Sequence, residues 1–183
     1  MPVKCSHIIL DACCVLNFSA SGRFLEILQS LPAQVTVTQV VRDRELISLQ
    51  RLSEETFEDA NQFEAAIDLG LLRVEDFAND REAETFVNYA SMLGDDGESA
   101  TCAIAVHRQW AIATDDRQAT SFFQREAPHL QILSSLEIIR HWSETTDLSP
   151  GKLRSVLSDI RIRGRYIPHR SHPLLTWWQD AIA

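Results

Sequence analysis

HIILDA at residues 7–12 and WAIATDD at residues 110–116 are short apolar runs that each reach an aspartate. Runs of this kind are typical of strands buried in a parallel sheet. The carboxyl ends of parallel strands meet at one edge, and open α/β sheets bind their ligands at that edge. We therefore expect Asp11 and the Asp115–Asp116 pair to lie at a ligand-binding edge.

The rest of the chain alternates apolar or β-branched runs with helical patterns of ten or more residues. Further strands are predicted at QVTVT (34–38), LLRVEDF (71–77) and LQIL (130–133). Helices are predicted from Ser21-Gly22 to Leu31, and over 39–52, 53–69, 80–92, 97–108, 116–125 and 136–142. This alternation predicts an α/β fold, a three-layer sandwich around a central parallel sheet of four or five strands.

Pro150-Gly151 is the one candidate domain boundary in this pattern. We predict a single domain over residues 1–148, followed by a basic and aromatic C-terminal extension over residues 149–183 that packs on it. The extension begins with the amphipathic spacing KLRSVLSDIRI. Its Trp177-Trp178 pair is expected to pack on the core or on another subunit.

Composition sets broad limits on function. With 183 residues, 45% of them hydrophobic and 23% charged, the chain is typical of a globular protein. No apolar stretch approaches the roughly 20 residues of a membrane span, and no secretory cleavage pattern follows the N-terminus, so we expect a cytoplasmic protein. The formal net charge of −9 argues against coating nucleic acid by bulk attraction, but not against an enzyme that acts on it.

A third acidic signature is Glu98 in GDDGESATCAIA, in the predicted first turn of a helix. Each acid has a structural explanation by itself. An aspartate after a strand commonly caps the next helix, as Asp11 and Asp116 would, and an acid in a first turn complements the helix dipole. Together, the three signatures are the carboxylate set that holds a divalent metal ion beside a phosphate.

The order of these motifs resembles the PIN domain family. An early Asp closes an apolar strand, GESATCAIA is similar to the family's GEA-x-AIA, and ATDDRQA is similar to its DDR motif. The resemblance covers roughly residues 5–140. It implies a ribonuclease that uses Mg²⁺ or Mn²⁺ and acts on an RNA substrate. It also implies the toxin of a bacterial toxin–antitoxin module, with an antitoxin protein as partner and a homodimer as assembly.

The resemblance assigns the acids residue by residue. Asp11 matches the family's first acid, and Glu98 matches its third. The fourth is Asp115 or Asp116, because the family's Thr-x-Asp favours Asp116 whereas strand geometry favours Asp115. We expect Asp11, Glu98 and this pair to bind the metal.

The second acid is Asp43 or Glu45, both in the helix predicted after Thr38. Glu45, followed by Leu46, fits the family's Glu-Leu slightly better. Residues two apart on a helix do not face the same way, so only one of them belongs to the site.

One position departs from the family. Where it commonly has Ser or Asn two residues after the first acid, this chain has Cys13. A thiol is a poor ligand for Mg²⁺ and a better one for Mn²⁺. Asn17 is a candidate to compensate.

The implied reaction is phosphodiester hydrolysis by a metal-activated water, with Glu45 or Asp43 as an outer ligand. Phosphate contacts are predicted from five arginines: Arg117, Arg161, Arg163, Arg165 and Arg170. An alternative is a catalytically inactive PIN fold that binds nucleic acid or protein. A receiver-like phosphoryl-transfer domain is disfavoured, since Ser134-Ser135 follow the last strand where such domains have a lysine.

Overall fold

A computed structural model gives the fold of residues 5–44 and 58–183, with five strands in these residues. They are β1 (His7–Leu10), β2 (Gln34–Thr38), β3 (Leu72–Glu75), β4 (Ala111–Ala113) and β5 (Ile132–Leu133). All four neighbouring pairs are parallel, in the order β3-β2-β1-β4-β5. The predicted α/β fold with a parallel sheet is therefore confirmed.

Helices connect the strands. They are α1 (Ala12–Ala20), α2 (Phe24–Gln29), α3 (Glu58–Asp68), α4 (Asp80–Leu93), α5 (Asp96–Arg108), α6 (Arg117–Glu126), α7 (Ser135–Thr145), α8 (Pro150–Ile162) and α9 (Leu175–Ile182). Residues 39–44 are also helical. Among these residues, no helix combines the length and the apolar character needed to cross a bilayer.

Helix α1 is absent from the sequence-based prediction, which places the first helix at Ser21-Gly22. Six of its nine residues are buried, including Asn17 and Ser19. A helix buried around much of its circumference lacks the polar face that reveals helical periodicity. The first helix therefore begins directly after Asp11.

The two faces of the sheet carry separate apolar clusters. Ile8 and Leu10 belong to one cluster with Phe18 of α1. Ile9, which points the other way, belongs to a second cluster with Ile104 of α5. Because successive residues of a strand alternate between faces, helices cover both sides of β1. This double burial explains why the strand reads as an uninterrupted apolar run.

The C-terminal extension lies against the first of these clusters. Leu157 of α8 is fully buried in it, and Trp178 of α9 is 4% exposed. After α8 the chain turns so tightly that a Cβ built on Gly164 would lie 2.7 Å from the Ile160 carbonyl oxygen of α8. The chain also passes close to α1 here, because the same Cβ would lie 3.1 Å from Asn17 Oδ1. Only glycine fits there without movement of the surroundings.

Gly164→Ala should therefore destabilise the protein by about 1–3 kcal/mol, the usual cost of forcing an extra methyl group into a packed site. Gly151→Ala is the matched control. A Cβ at Gly151, in the first turn of α8, meets no atom within 4 Å. Alanine there should stabilise by about 0.4–1 kcal/mol. Urea unfolding of both variants measures the difference, and equal effects would show that Gly164 does not lie in a tightly packed site.

Candidate functional site

The ends of β1 and β4 are joined by hydrogen bonds at the carboxyl edge of the sheet. The Asp11 amide donates to the Ala113 carbonyl at 2.9 Å. Thr114 Oγ1 donates to Asp11 Oδ2 at 2.8 Å and accepts from the Asp116 amide at 3.1 Å. One threonine hydroxyl therefore links the acid after β1 to the acids after β4.

Asp11 is 3% exposed, and both of its carboxylate oxygens accept hydrogen bonds. Its Oδ1 accepts from the Ala12 amide at 2.8 Å, which caps α1. Its Oδ2 accepts from Thr114 and also from Cys13 Sγ, at 3.3 Å. Burial raises the pKa of Asp11, although these hydrogen bonds oppose the shift. Asp11 is thus a helix cap held in a fixed orientation at the sheet edge.

Glu98 lies in the first turn of α5, as predicted. Its amide donates to Asp95 Oδ1 at 2.9 Å, and its own carboxylate is half-buried. Burial, followed by the negative charges of Asp11, Asp116 and Asp95, raises the pKa of Glu98 to about 8. Four carboxylates therefore share one electrostatic environment.

The structure distinguishes the two neighbouring acids after β4. Asp116 is the N-cap of α6, where its Oδ1 accepts from the Ala119 amide at 2.8 Å. Its charge raises the pKa of Glu98, so its carboxylate faces the acid cluster. Asp116 matches the position that the Thr-x-Asp pattern favours.

Asp115 turns instead toward α1 and the C-terminal extension. Its Oδ2 accepts from Asn17 Nδ2 at 2.8 Å. Its Oδ1 accepts from the Ser135 amide at 3.0 Å and from the Tyr166 hydroxyl at 3.3 Å. Burial raises the pKa of Asp115 against the effect of these hydrogen bonds. Both of its oxygens accept from protein donors, as those of Asp11 do, but the charges that raise the pKa of Glu98 are those of Asp11, Asp116 and Asp95.

Of the two candidates for the second acid, only Asp43 lies in the described residues. Asp43 is exposed and accepts from Gln39 Nε2 at 2.7 Å, on the same helical segment. Glu45 lies outside the described residues. A salt bridge between Arg44 and Asp96 connects this segment to the start of α5, beside Glu98.

Cys13, Cys14 and Asp115 place one potential ligand atom each within 4.8 Å of one another, the one such group of three in residues 5–44 and 58–183. Cys13 Sγ already accepts from the Asp115 amide at 3.2 Å. Cys14 is fully buried, and burial raises the pKa of its thiol. Cys13, Cys14 and Asp115 therefore pack next to the predicted metal-binding acids. The two thiols act there as weak hydrogen-bonding groups.

The predicted carboxylates fit a hard divalent ion in donor chemistry. Asp11, Glu98 and Asp116 offer only oxygen, whereas the Cys13 thiol donates to Asp11 Oδ2 and accepts from the Asp115 amide. They do not form a group with ligand atoms within 4.8 Å. A closed cage is not required, since Mg²⁺ keeps several waters and is commonly held through one or two carboxylates.

The five predicted arginines are spread over the surface. Arg117 and Arg165 border a cleft beside the acids. Arg161 and Arg170 are exposed and lie outside its lining. Arg163 donates to the Ala20 carbonyl at 3.1 Å, which attaches the end of α8 to α1. The structure therefore brings two of the five to the acids.

No protein-family model matches this chain, and no curated protein matches it significantly. The likeness to the PIN family accordingly depends on the motifs themselves and on the arrangement of their residues.

Thr114, Tyr166 and Asp95 have no role in the sequence-based prediction, and Asn17 has one only as a candidate to compensate for Cys13. Thr114 and Asn17 stand within or near the quoted motifs, but their partners are about 100 residues away in the chain. Tyr166 reaches Asp115 from the C-terminal extension. Asp95 lies within the quoted motif GDDGESATCAIA, three residues before Glu98, and is the N-cap of α5.

The raised pKa of Glu98 predicts a pH-dependent stability. The folded state holds the proton up to about pH 8, whereas the ordinary pKa is 4.5. Between these values the folded state binds more protons than the unfolded state, so stability falls as pH rises. Glu98→Gln should remove this fall, and wild-type protein should lose stability relative to the variant from pH 5 to pH 8.

Urea unfolding at a series of pH values measures this effect, with Glu84→Gln as the control because Glu84 is exposed on α4. A wild-type profile that Glu84→Gln and Glu98→Gln alter equally would contradict the electrostatic coupling.

Proposed function

We propose that the protein is a metal-dependent endoribonuclease that hydrolyses RNA phosphodiester bonds with Mg²⁺ or Mn²⁺. The observation that carries this proposal is the Thr114 hydroxyl, which joins Asp11 to the Asp116 backbone at the edge where parallel α/β sheets bind ligands. Glu98 joins them from α5. The order of the acids in the chain is that of the PIN family.

In this proposal, Asp11, Glu98 and Asp116 hold the metal. When bound, the ion activates a water and neutralises charge that develops on the phosphate. Thr114 and the Ala12 amide fix the orientation of Asp11. The negative charges of Asp11, Asp116 and Asp95 act on Glu98, so a cation bound here would reduce the repulsion among these carboxylates.

Asp115 takes a supporting part. Its contacts with Asn17, the Ser135 amide and Tyr166 hold the loop after β4 in place. Asp116, the next residue, is thereby fixed relative to Asp11. The second acid, Asp43 or Glu45, remains the proposed outer ligand.

The biological setting that we propose is the cytoplasm of a bacterium, where the protein acts as the toxin of a toxin–antitoxin module. The proposed partner is an antitoxin protein, and the proposed assembly is a homodimer. These proposals depend on the PIN resemblance.

A second candidate function is an inactive PIN fold that binds nucleic acid or protein. The observation that favours it is the hydrogen bonding of Asp11, whose Oδ2 accepts from both Thr114 and Cys13. A site without catalysis would retain these contacts.

Asp11→Asn separates the two functions. With Mn²⁺ and single-stranded RNA, wild-type protein should produce cleavage products, and the variant should cleave at least about 100-fold more slowly, since it loses a metal-binding charge. Asparagine retains the oxygen that caps α1, but its amide nitrogen cannot accept from the Thr114 hydroxyl, so the melting temperature of the variant is measured to show that it is folded. Asp68→Asn, at the exposed end of α3, is the control and should cleave like wild-type.

Cleavage is followed on gels, and metal binding is measured in parallel as the Mn²⁺-dependent rise in melting temperature. If wild-type protein neither cleaves RNA nor is stabilised by Mn²⁺, the nuclease proposal fails and the binding module remains.

A further inference from the structure

A cleft of about 880 Å³ opens beside the acids. Glu98 and Asp116 lie in its lining, the first turns of α6 form one wall, and residues 165–173 form the other. This volume is within the range of about 300–1,000 Å³ that is usual for ligand sites. The cleft extends the site away from the metal-binding edge, toward the C-terminal extension.

The wall over residues 165–173 is built into the fold. Arg165 has a left-handed backbone (φ 52°) directly after the close approach of Gly164 to α1. This turn directs Tyr166 inward, where its hydroxyl donates to Asp115 and its ring meets Trp178 edge-on, with centroids 5.9 Å apart. The wall is therefore anchored both to the sheet edge and to α9.

The two walls also contact each other. Arg117, the first residue of α6, donates to His169 Nε2 at 3.3 Å. Pro168, just before this histidine, is buried. Arg117 and His169 therefore join the two walls across the cleft.

The lining includes four acids, two arginines, hydroxyl groups and apolar side chains, the acids being Glu98, Asp115, Asp116 and Glu137. Exposed guanidinium groups come from Arg117 and Arg165, which form no salt bridge with the carboxylates of the described residues. Hydroxyl donors and apolar side chains complete it: Thr120, Ser121, Ser171, Ile132, Leu133 and Pro173. Guanidinium groups are suited to phosphate, and apolar surface suits the face of a base or ribose.

We propose that this cleft binds the part of the RNA strand that adjoins the scissile phosphate, with Arg117 and Arg165 contacting the flanking phosphates. This inference rests on the proposed function, because it takes the acids as the place of cleavage. It assigns the C-terminal extension a part in substrate binding. Of the five arginines predicted to contact phosphate, only these two have that role in the cleft.

The test compares Arg165→Gln with Arg170→Gln. The two changes remove the same charge from the same segment, but Arg170 lies outside the lining. The fluorescence anisotropy of a short labelled single-stranded RNA measures affinity, with Ca²⁺ in place of Mn²⁺. Arg165→Gln should weaken binding about tenfold and lower the slope of log affinity against log salt by about 0.7, the value for one phosphate contact on a single strand. Arg170→Gln should change affinity by less than about twofold.

An equal loss of RNA affinity in the two variants would overturn the proposal, because it would show that Arg165 acts only through the net charge of the segment. Binding of adenosine 5′-monophosphate as tightly as RNA would also overturn it, in favour of a free nucleotide. Photo-crosslinking of wild-type protein to RNA containing 4-thiouridine gives a second measurement that needs no variant. Crosslinks within residues 165–173 or at the start of α6 support the cleft, and crosslinks confined to other surfaces refute it.

The outcomes separate this inference from the proposed function. RNA bound in the cleft but left uncut with Mn²⁺ would refute the nuclease and retain the cleft. RNA cut normally by Arg165→Gln, with unchanged affinity, would refute the cleft and retain the nuclease.

Discussion

The hydrogen bond from Thr114 to Asp11 joins the ends of two neighbouring parallel strands, and the geometry of the candidate site depends on it. Both residues are almost fully buried, so the bond forms away from competing water. The same hydroxyl accepts from the Asp116 amide, which orders the chain that starts α6. The relative position of the acids is thereby set by the sheet itself.

A second set of hydrogen bonds, accepted by Asp115, holds this edge of the sheet in place. Asp115 connects Asn17 of α1, the start of α7 and Tyr166 of the extension. Elements that are far apart in sequence therefore meet at one carboxylate. The extension also forms a wall of the cleft, so residues after position 148 contribute both to the support of the site and to its surface. The neighbouring acids destabilise the ionised form of Glu98 by charge repulsion, and a bound cation would reduce this repulsion.

Much of the fold follows from local patterns in the sequence. Strand β1 and strand β4 are visible as apolar runs because helices cover both of their faces. Helix α1 is not visible, because its polar residues, including Asn17, are buried. The sequence motifs name Asp11, Glu98 and the Asp115–Asp116 pair as candidates, whereas only the structure shows that Asn17 and Tyr166 donate to Asp115. Such contacts join residues about 50 to 100 positions apart, and no local pattern reports them.

The central claim is that Asp11, Glu98 and Asp116 together hold a divalent metal ion. Anomalous diffraction from crystals soaked in Mn²⁺ tests it most directly, since it locates the ion without reference to activity. The account predicts one strong anomalous peak at the ends of β1 and β4, bound directly by oxygens of one or two of these carboxylates and through water by the others. A peak among Cys13, Cys14 and Asp115, or the absence of any peak at the sheet edge under saturating Mn²⁺, would contradict it.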